Sequence, residues 1–218
     1  MRILEIKQIT FPVGDVHLRG VLEKPLPQTK SAVLVLHPHP VYGGEMSNPV
    51  VTTLSSTLHE FGLATFRFDF RGVEYKSQFA GIPGALEDTI SASQVLQEKD
   101  IRLIGVAGYS FGGSAALRFC SINNVNFLIS VSSSLTLYHE GNYPMSNLSK
   151  ITCPVLMFHG TSDLAVPFEN MTQISSYIGG PLTRVALEKE GHFYHRSLGR
   201  LHDEVCLFLE SQGFSRSE

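Results

Sequence analysis

The sequence predicts an α/β fold in which a mostly parallel central sheet of about eight strands carries helices on both faces. Three observations predict it: two alternating segments at the N-terminus, a series of mostly continuous apolar runs after them, and helical patterns between most of those runs. Continuous apolar runs are typical of strands that are covered on both faces. Alternation of strands with helices implies that neighbouring strands run parallel.

The first element is a hairpin. The segments ILEIKQITF (3–11) and VHLRGVLE (16–23) alternate polar and apolar residues on either side of PVGD. This alternation predicts two antiparallel strands with one face in water. The same alternation differs from a signal peptide, which needs a continuous apolar segment.

Six further strands follow the hairpin. They are predicted from the runs AVLVLH (32–37), LATFRFDF (63–70), RLIGVAGY (102–109), NFLISVS (126–132), PVLMFHG (154–160) and TRVALE (183–188). Ligands bind such sheets at the C-terminal ends of the strands. Only about twenty residues separate the fourth of these runs from the fifth, which is fewer than a helical cap domain needs, so we expect an open site without a cap.

Helices are predicted between these strands. Asn48 is the expected N-cap of the first helix and Pro49 its first residue, with Val51, Leu54, Leu58 and Phe61 on one apolar face. A second helix is predicted to begin near Pro83, and a third to follow the tight turn before GGSAALRFC. A fourth is opened by Pro167, with Met171, Ile174 and Ile178 on one face. The last lies near the C-terminus, and its apolar face consists of Leu198, Leu201, Val205 and Phe208.

Length and composition limit what the protein can be. A chain of 218 residues with 43% apolar and 17% charged residues fits one α/β domain over residues 1–218. The net charge of -3 and the pI near 6.3 provide no broad basic face, which argues against nucleic acid or an anionic membrane as a partner. No apolar run approaches the roughly 20 residues that a membrane span needs.

The three cysteines indicate a reducing compartment. Cys120, Cys153 and Cys206 are odd in number, far apart and each within an apolar segment, so they are predicted to be buried thiols, not disulfides. We therefore expect a cytoplasmic protein. An exposed hairpin or edge strand would permit a homodimer, so the sequence is compatible with a monomer or a homodimer.

The segment GYSFGG (108–113) predicts a catalytic nucleophile. It joins an apolar run to a helical pattern, so Ser110 lies at a very tight turn from strand to helix, with Gly108 and Gly112 two positions to either side. Such a turn lifts the serine hydroxyl out of the sheet and puts the Phe111 N–H at a helix N-terminus, where it can stabilise a developing oxyanion. A lone glycine–serine–glycine pattern is weak on its own.

Two later segments supply the partners that a nucleophilic serine needs. HGTSD places Asp163 in the loop after one predicted strand, and EKEGHF places His192 in the loop after the next. The imidazole can take the serine proton, and the carboxylate can fix the tautomer of the imidazole. The chain order Ser, Asp, His is that of α/β-hydrolases.

These three segments together resemble the nucleophile, acid and histidine segments of the α/β-hydrolase superfamily. More specifically, VLHPHPVYGGEMSNPVV with FRFDFRGV resembles small, lidless, dienelactone-hydrolase-like bacterial hydrolases. The resemblance covers nearly the whole chain and implies an α/β-hydrolase fold without a cofactor. It departs from the relatives after FRG, where VEYKS stands in place of Gly-x-Ser, around Glu74 and Tyr75. Dienelactone hydrolases proper use cysteine where this chain has Ser110, which favours ordinary ester chemistry.

The HPHP segment predicts the second oxyanion donor. It ends a strand beside the nucleophile turn, and because Pro38 and Pro40 have no N–H, His39 is the local donor. We therefore expect the N–H groups of His39 and Phe111 to form the oxyanion hole. The side chains predicted to line the substrate pocket are those of Phe111 and of Tyr42, Met46, Leu164 and Phe193.

Other histidines receive different interpretations. The pairs His37 with His39 and His192 with His195 have the spacing of metal ligands, but no further Asp or His ligands follow HPHPVYGG, so no metal is predicted. His37 and His159 end apolar strands and are interpreted as structural groups that bond loop backbone. His195 is expected to begin the last helix.

Two aspartates compete with Asp163 for the role of the acid. Asp69 is interpreted as the ion-pair partner of Arg71, and Asp88 as a residue of a helix first turn. The function predicted is that of a serine hydrolase, carboxylesterase-like, which cleaves small acyl esters or thioesters through an acyl-enzyme. The alternatives are a non-catalytic member of the fold and a peptidase or amidase.

Overall fold

A computed structural model of the protein describes residues 3–26 and 29–216. The other six positions of the predicted 1–218 domain, including the first two, lie outside the described residues. The strands are β1 (Leu4–Val13), β2 (Val16–Pro25), β3 (Ser31–Leu36), β4 (Ala64–Phe68), β5 (Arg102–Tyr109), β6 (Phe127–Val131), β7 (Val155–Gly160) and β8 (Leu182–Leu187).

All eight strands form one sheet in the order β1-β2-β4-β3-β5-β6-β7-β8. β1 pairs with β2, and β2 with β4, in antiparallel orientation, whereas every other neighbouring pair is parallel. The N-terminal hairpin turns between Val13 and Val16, as predicted. The structure thus confirms the predicted fold class.

Six α-helices lie around the sheet in the described part of the chain: α1 (Pro49–Glu60), α2 (Gly81–Glu98), α3 (Phe111–Cys120), α4 (Leu135–Tyr138), α5 (Glu169–Ser175) and α6 (Leu198–Ser211). Buried residues of α1 and α6 belong to one apolar cluster, and those of α2, α3 and α5 to another. The two clusters lie on opposite faces of the sheet because successive residues of the central strand β3 alternate between them.

The apolar runs predict burial well in the middle of the sheet but not at its edge. The five residues from Ala32 to Leu36 in β3 are all fully buried. β8 was predicted by the same pattern, yet none of its residues is buried, and Thr183 and Arg184 are exposed. It is the last strand of the sheet, so nothing covers its outer edge.

Local signals predict the start of α1 to the residue and other helix bounds to within two or three residues. The Asn48 side chain accepts the Val50 N–H at the start of α1, with Pro49 as the first helical residue, as predicted. α2 begins at Gly81, two residues before Pro83. α5 ends at Ser175, so Ile178 packs on the core from outside the helix.

The connection from β6 to β7 contains only α4 and two short 3-10 turns, Glu140–Asn142 and Met145–Lys150, so no cap domain covers the sheet there. The three cysteines are free thiols, Cys120 and Cys206 buried and Cys153 half-buried. No helix within residues 3–26 and 29–216 combines the length and the apolar character needed to cross a membrane.

Candidate active site

The turn between β5 and α3 holds Ser110 in a strained conformation. Its φ of +56° and ψ of -114° lie outside the regions that non-glycine residues normally occupy. A Cβ on Gly108 would strike the Gly112 carbonyl, and one on Gly112 would strike the Leu36 carbonyl of β3. The two glycines predicted from the sequence are therefore required by close backbone approach, whereas a Cβ on Gly113 would meet the side-chain hydroxyl of Ser133.

The side chains of Ser110, His192 and Asp163 lie in one hydrogen-bonded line. The Ser110 Oγ is 2.9 Å from His192 Nε2, and His192 Nδ1 is 2.7 Å from Asp163 Oδ2. Since a carboxylate only accepts hydrogen bonds, Nδ1 carries the proton in neutral His192 and Nε2 is free to accept from the serine. This is the tautomer that a general base needs.

Asp163 is held as a carboxylate by several donors. Its Oδ1 accepts the N–H groups of Ala165 and Val166 at 3.0 and 2.8 Å, and its Oδ2 accepts the Ser132 hydroxyl at 3.1 Å as well as His192. Burial opposes ionisation of this carboxyl group, but hydrogen bonds from His159, His192 and the Val166 N–H outweigh it and lower its pKa.

His159 ends β7 directly behind this carboxylate. Its Nε2–H donates to the Val166 carbonyl at 2.9 Å, which fits the predicted structural role, and the same nitrogen lies 3.4 Å from Asp163 Oδ2. The contact with Asp163 was not predicted, because β7 must be placed in the sheet before the direction of its last side chain is known. His159 therefore contacts the same oxygen of Asp163 as His192 does.

Two tyrosines form hydrogen bonds next to His192 and Asp163, and the sequence analysis predicted neither. The Tyr109 hydroxyl donates to the His192 carbonyl at 2.6 Å, and the Tyr194 hydroxyl lies 2.6 Å from Ser132 Oγ. Tyr194 is fully buried and has a φ of +53°. The position of Tyr109 beside the nucleophile was the one available signal, whereas nothing in the sequence distinguishes Tyr194.

The HPHP loop is fixed to the loop after β4 through His37. Its Nδ1–H donates to the Pro38 carbonyl at 2.6 Å, and its Nε2 accepts the Phe70 N–H at 2.8 Å. Burial lowers the pKa of His37 to about 3, against the opposing effect of the Pro38 carbonyl. The neutral imidazole thus bonds loop backbone on both sides, in agreement with its predicted structural role.

The two predicted oxyanion donors are backbone N–H groups without a competing acceptor among the described residues. Within the described part of the chain, neither the His39 N–H nor the Phe111 N–H donates a hydrogen bond to another residue. The carbonyl of His39 instead accepts the N–H of Gly44 at 3.0 Å, and a Cβ on Gly44 would strike the Pro38 carbonyl. The second glycine of the GG pair is therefore needed to fold the loop back on itself.

A cavity of about 790 Å³ opens over Ser110 and His192. Tyr42 and Phe193 line it, as predicted, and so do Leu137, Val166 and Pro167. Its polar lining includes Asn48, Thr136 and Asn170, and its described lining includes no Asp, Glu, Lys or Arg. The site can accept a neutral ligand of modest size.

Three predicted wall residues are corrected by the structure. Leu164 is 97% exposed because Asp163 turns inward at the tip of its loop, which leaves the next side chain in water. Met46 does not line the cavity, because its backbone is bonded to Asp69 and Arg67 on the β4 side. The Phe111 ring is 1% exposed and packs against the Phe70 and His39 rings.

Comparison with known proteins places these features in a family. A model of the dienelactone hydrolase family matches residues 71–185, which is more than half of the chain. The chain belongs to this family. An α/β serine hydrolase homologue from Coxiella burnetii is similar in structure, with a TM-score of 0.81 and 30% identity over 93% of this chain and 97% of that one.

Further relatives of this dienelactone hydrolase family member agree. A serine hydrolase without a lid from Xanthomonas campestris has a TM-score of 0.80 and 24% identity, covering 95% of this chain and 94% of that one. An uncharacterised protein of Rickettsia prowazekii is 25% identical over 83% of this chain and 77% of its own length. Family and neighbours together identify an enzyme of the hydrolase kind with a lidless α/β-hydrolase fold.

The competing aspartates of this hydrolase are not part of the hydrogen-bonded line from Ser110 to Asp163. Asp69 was predicted to pair with Arg71, but its Oδ1 accepts the Met46 N–H at 2.9 Å. Arg71 instead pairs with Asp88, which accepts the Arg71 N–H and Nε–H at 2.9 and 2.8 Å. Arg71 lies in the turn that the Val73 N–H and the Phe70 carbonyl close, and Asp88 is its buried ion-pair partner on α2.

The remaining histidine, His195, is exposed and lies before α6, which begins at Leu198. Its ring packs near Phe193, 5.7 Å between centroids, and its side chain takes no part in the line from Ser110 to Asp163.

Proposed function

We propose that this protein, as a single domain over residues 1–218, is a serine hydrolase that cleaves small, uncharged acyl esters or thioesters. One observation carries the proposal: Ser110, His192 and Asp163 form a continuous hydrogen-bonded line at the floor of a cavity with uncharged walls. Three loops that are distant in the sequence meet there, at the C-terminal ends of β5, β7 and β8. The same three residues are those expected for nucleophile, acid and base.

Acylation begins when the Ser110 hydroxyl attacks the acyl carbon of the substrate. The hydroxyl proton moves to His192 Nε2, and Asp163 stabilises the imidazolium through Nδ1–H. The carbonyl oxygen becomes an oxyanion within reach of the N–H groups of His39 and Phe111. His192 then returns the proton to the departing alcohol or thiol, which leaves an acyl group on the Ser110 oxygen.

Deacylation repeats these steps with water. His192 takes a proton from water as the water oxygen attacks the acyl carbon, and the proton passes to the Ser110 oxygen as the acid product leaves. The open cavity, without a cap domain over it, gives water direct access. No cofactor enters either half of the reaction.

The charge of the cavity supports a neutral substrate. Among its described lining, the ionisable side chains are those of His39, Tyr42, Tyr109 and His192. Burial lowers the pKa of His39, against the attraction of Glu140, which favours the neutral ring. Arg71, which lies outside the cavity lining, is bound to Asp88. A carboxylate in the acyl chain would therefore find no cation to offset its loss of water.

Labelling with a fluorophosphonate probe tests the nucleophile. We expect the wild-type protein to be labelled and Ser110→Ala to show no labelling. Ser134→Ala is the matched control, because Ser134 also lines the cavity but bonds the Leu137 N–H and has no imidazole beside its hydroxyl. Labelling of Ser110→Ala at the wild-type rate would overturn the proposal.

A substrate panel tests the bond that is cleaved. We expect kcat/KM to be highest for short neutral esters or thioesters and lower for the matching anilides, since an amine is a poorer leaving group. Anionic esters with the same acyl length should also be poorer substrates. A protein that binds these esters but turns over none of them would instead be a non-catalytic member of the fold, and preferred cleavage of anilides would indicate an amidase.

A further inference from the structure

Three potential metal ligands meet where the end of α1 packs on α6. His202 and Cys206 are four residues apart in α6, and Glu60 is the last residue of α1. Residues four apart lie on one face of a helix, and helical zinc sites use this spacing for paired ligands. The ligand atoms of all three residues lie within 4.8 Å of one another.

The distances approach those of a tetrahedral zinc site. Cys206 Sγ is 3.7 Å from His202 Nε2, and the same nitrogen is 2.9 Å from Glu60 Oε1. With Zn–N and Zn–O near 2.0 Å and Zn–S near 2.3 Å, tetrahedral angles put nitrogen and sulfur about 3.5 Å apart and nitrogen and oxygen about 3.3 Å apart. These two distances differ from the tetrahedral values by a few tenths of an ångström, and the third, between the Glu60 carboxylate and Cys206 Sγ, lies within 4.8 Å.

A second carboxylate already orients the imidazole. Asp203 Oδ1 is 3.0 Å from His202 Nδ1, so the ring can donate that N–H outward and direct Nε2 toward Glu60 and Cys206. A carboxylate on the far nitrogen is the usual outer partner of a metal-bound histidine. Glu60 is oriented in the same way, because Arg216 contacts its outer oxygen, Oε2, at 3.5 Å.

The charges around the cluster favour a cation. Arg216, the cation that contacts Glu60, also pairs with Glu210 at 3.1 Å. The carboxylates of Glu60, Asp203 and Glu210 therefore outnumber the single guanidinium. Arg216 reduces the attraction for a divalent ion without occupying Glu60 Oε1, the oxygen that faces His202 and Cys206.

We propose that Glu60, His202 and Cys206 bind one Zn²⁺, with water as the fourth ligand. The mixture of one thiolate, one imidazole and one carboxylate suits zinc and is a poor set for Mg²⁺ or Ca²⁺, which prefer oxygen alone. Cys206 releases its thiol proton to solvent on binding, and His202 Nε2 binds without a proton. The ion then links the end of α1 to α6.

The site is structural and independent of the hydrolytic reaction. α1 begins beside the cavity, where Asn48 is part of the lining, and its twelve residues extend about 18 Å to Glu60. The metal therefore stabilises the packing of α1 on α6 and does not reach the substrate. Because the folded state alone assembles the three ligands, zinc raises the stability of the protein by mass action.

Titration with Co²⁺, followed by competition with Zn²⁺, tests the site. We expect one Co²⁺ per chain with a thiolate-to-cobalt charge-transfer band. Cys206→Ser should lose the band and bind at least about 100-fold more weakly, and Asp203→Asn should bind about tenfold more weakly. Cys153→Ser, which removes a half-buried thiol elsewhere, is the matched control and should keep both the band and the affinity.

Thermal unfolding gives a second readout. Zn²⁺ should raise the Tm of the wild-type protein and leave that of Glu60→Gln unchanged, and this variant changes a partly exposed side chain that folding can tolerate. Ester hydrolysis at moderate temperature should be equal with zinc and with a chelator. Absence of the thiolate band, equal affinity of wild type and Cys206→Ser, or equal zinc shifts of wild type and Glu60→Gln would overturn the proposal.

Discussion

Two regions at the C-terminal edge of the sheet each contain a fully buried aspartate, and the two aspartates are neutralised in different ways. In the loops after β7 and β8, Asp163 faces the imidazole of His192 at 2.7 Å. In the loop after β4, the Arg71 guanidinium lies 2.7 Å from Asp88. An arginine stays charged at every pH that proteins tolerate, whereas an imidazole gains and loses its proton near neutrality.

The difference teaches what a buried carboxylate is used for. Asp88 has a permanent countercharge and accepts the Arg71 backbone N–H as well, so it fixes the loop after β4 on α2. Asp163 keeps its charge through neutral donors, the N–H groups of Ala165 and Val166 and the Ser132 hydroxyl. It can therefore stabilise a positive charge on His192 that exists only during the reaction.

The largest expected effect is a loss of activity, and it is expected on substitution of Asp163 but not of Asp88. Asp163→Asn should lower kcat by about 10⁴-fold, because an amide nitrogen in place of Oδ2 would donate to His192 Nδ1 and put the ring in the wrong tautomer. The retained oxygen can still accept the N–H groups of Ala165 and Val166, so the fold should persist. Steady-state kinetics and urea unfolding of the same preparation measure both quantities, and kcat within tenfold of wild type would remove Asp163 from the mechanism.

The next effect separates the regions by stability. Asp88→Asn leaves the half-buried charge of Arg71 with the mostly exposed carboxylate of Glu87 in place of a buried one, which should cost about 3–5 kcal/mol in the free energy of unfolding. Hydrolysis by the folded fraction should remain close to wild type. Glu87→Gln is the matched control: Glu87 also contacts Arg71, at 3.0 Å, but from a side chain that is 64% exposed, so it should cost less than about 1 kcal/mol. Equal losses in the free energy of unfolding for Asp88→Asn and Glu87→Gln would contradict the role of Asp88 as the main partner of Arg71.

The acid stability of the protein should depend on His37, which joins the HPHP loop to the loop after β4. The pKa of His37 is about 3 in the folded protein, and an unfolded histidine has a pKa near 6.5. Between these values the unfolded chain binds more protons, so stability falls as the pH falls. This one group should cost about 2 kcal/mol between pH 7 and pH 5.

Urea unfolding at several pH values measures this loss. Other histidines contribute to the total, so the quantity to compare is the difference between wild type and His37→Gln. That difference should change by about 2 kcal/mol between pH 7 and pH 5, with the wild type losing more. A difference that stays constant with pH would show that His37 does not titrate as its burial implies.

The sequence predicted those parts of the fold and site that depend on local or repeating chemistry. Ser110, Asp163 and His192 each follow a recognisable strand, and the order of the strands then brings the loops to one edge. The start of α1 was predictable for a similar reason, since the Asn48 cap and Pro49 act within two residues.

What could not be predicted depends on directions that only the folded chain defines. Arg71 is two residues from Asp69 but bonds Asp88, which packs against it only after α2 has folded onto the loop after β4. Leu164 and Phe193 are adjacent to triad residues alike, yet only Phe193 lines the cavity. The prediction that β8 is buried was wrong for another reason. A strand covered on both faces and an edge strand can have the same apolar pattern, and only the position of the strand in the sheet distinguishes them.

The smallest expected effect tests how tightly the loop of His192 must be held. Tyr109→Phe removes the hydroxyl that donates to the His192 carbonyl, a hydrogen bond worth about 1 kcal/mol. If this bond acts through the position of the imidazole, kcat should fall by up to about fivefold while KM stays unchanged. Tyr138→Phe is the matched control, because Tyr138 is equally buried but its hydroxyl lies 3.4 Å from the Pro144 carbonyl, outside the triad. A Tyr109 variant that loses stability but keeps wild-type kcat would show that the hydrogen bond to Asp163 is enough to place His192. The bond from Tyr109 would then stabilise the loop after β8 without affecting the reaction.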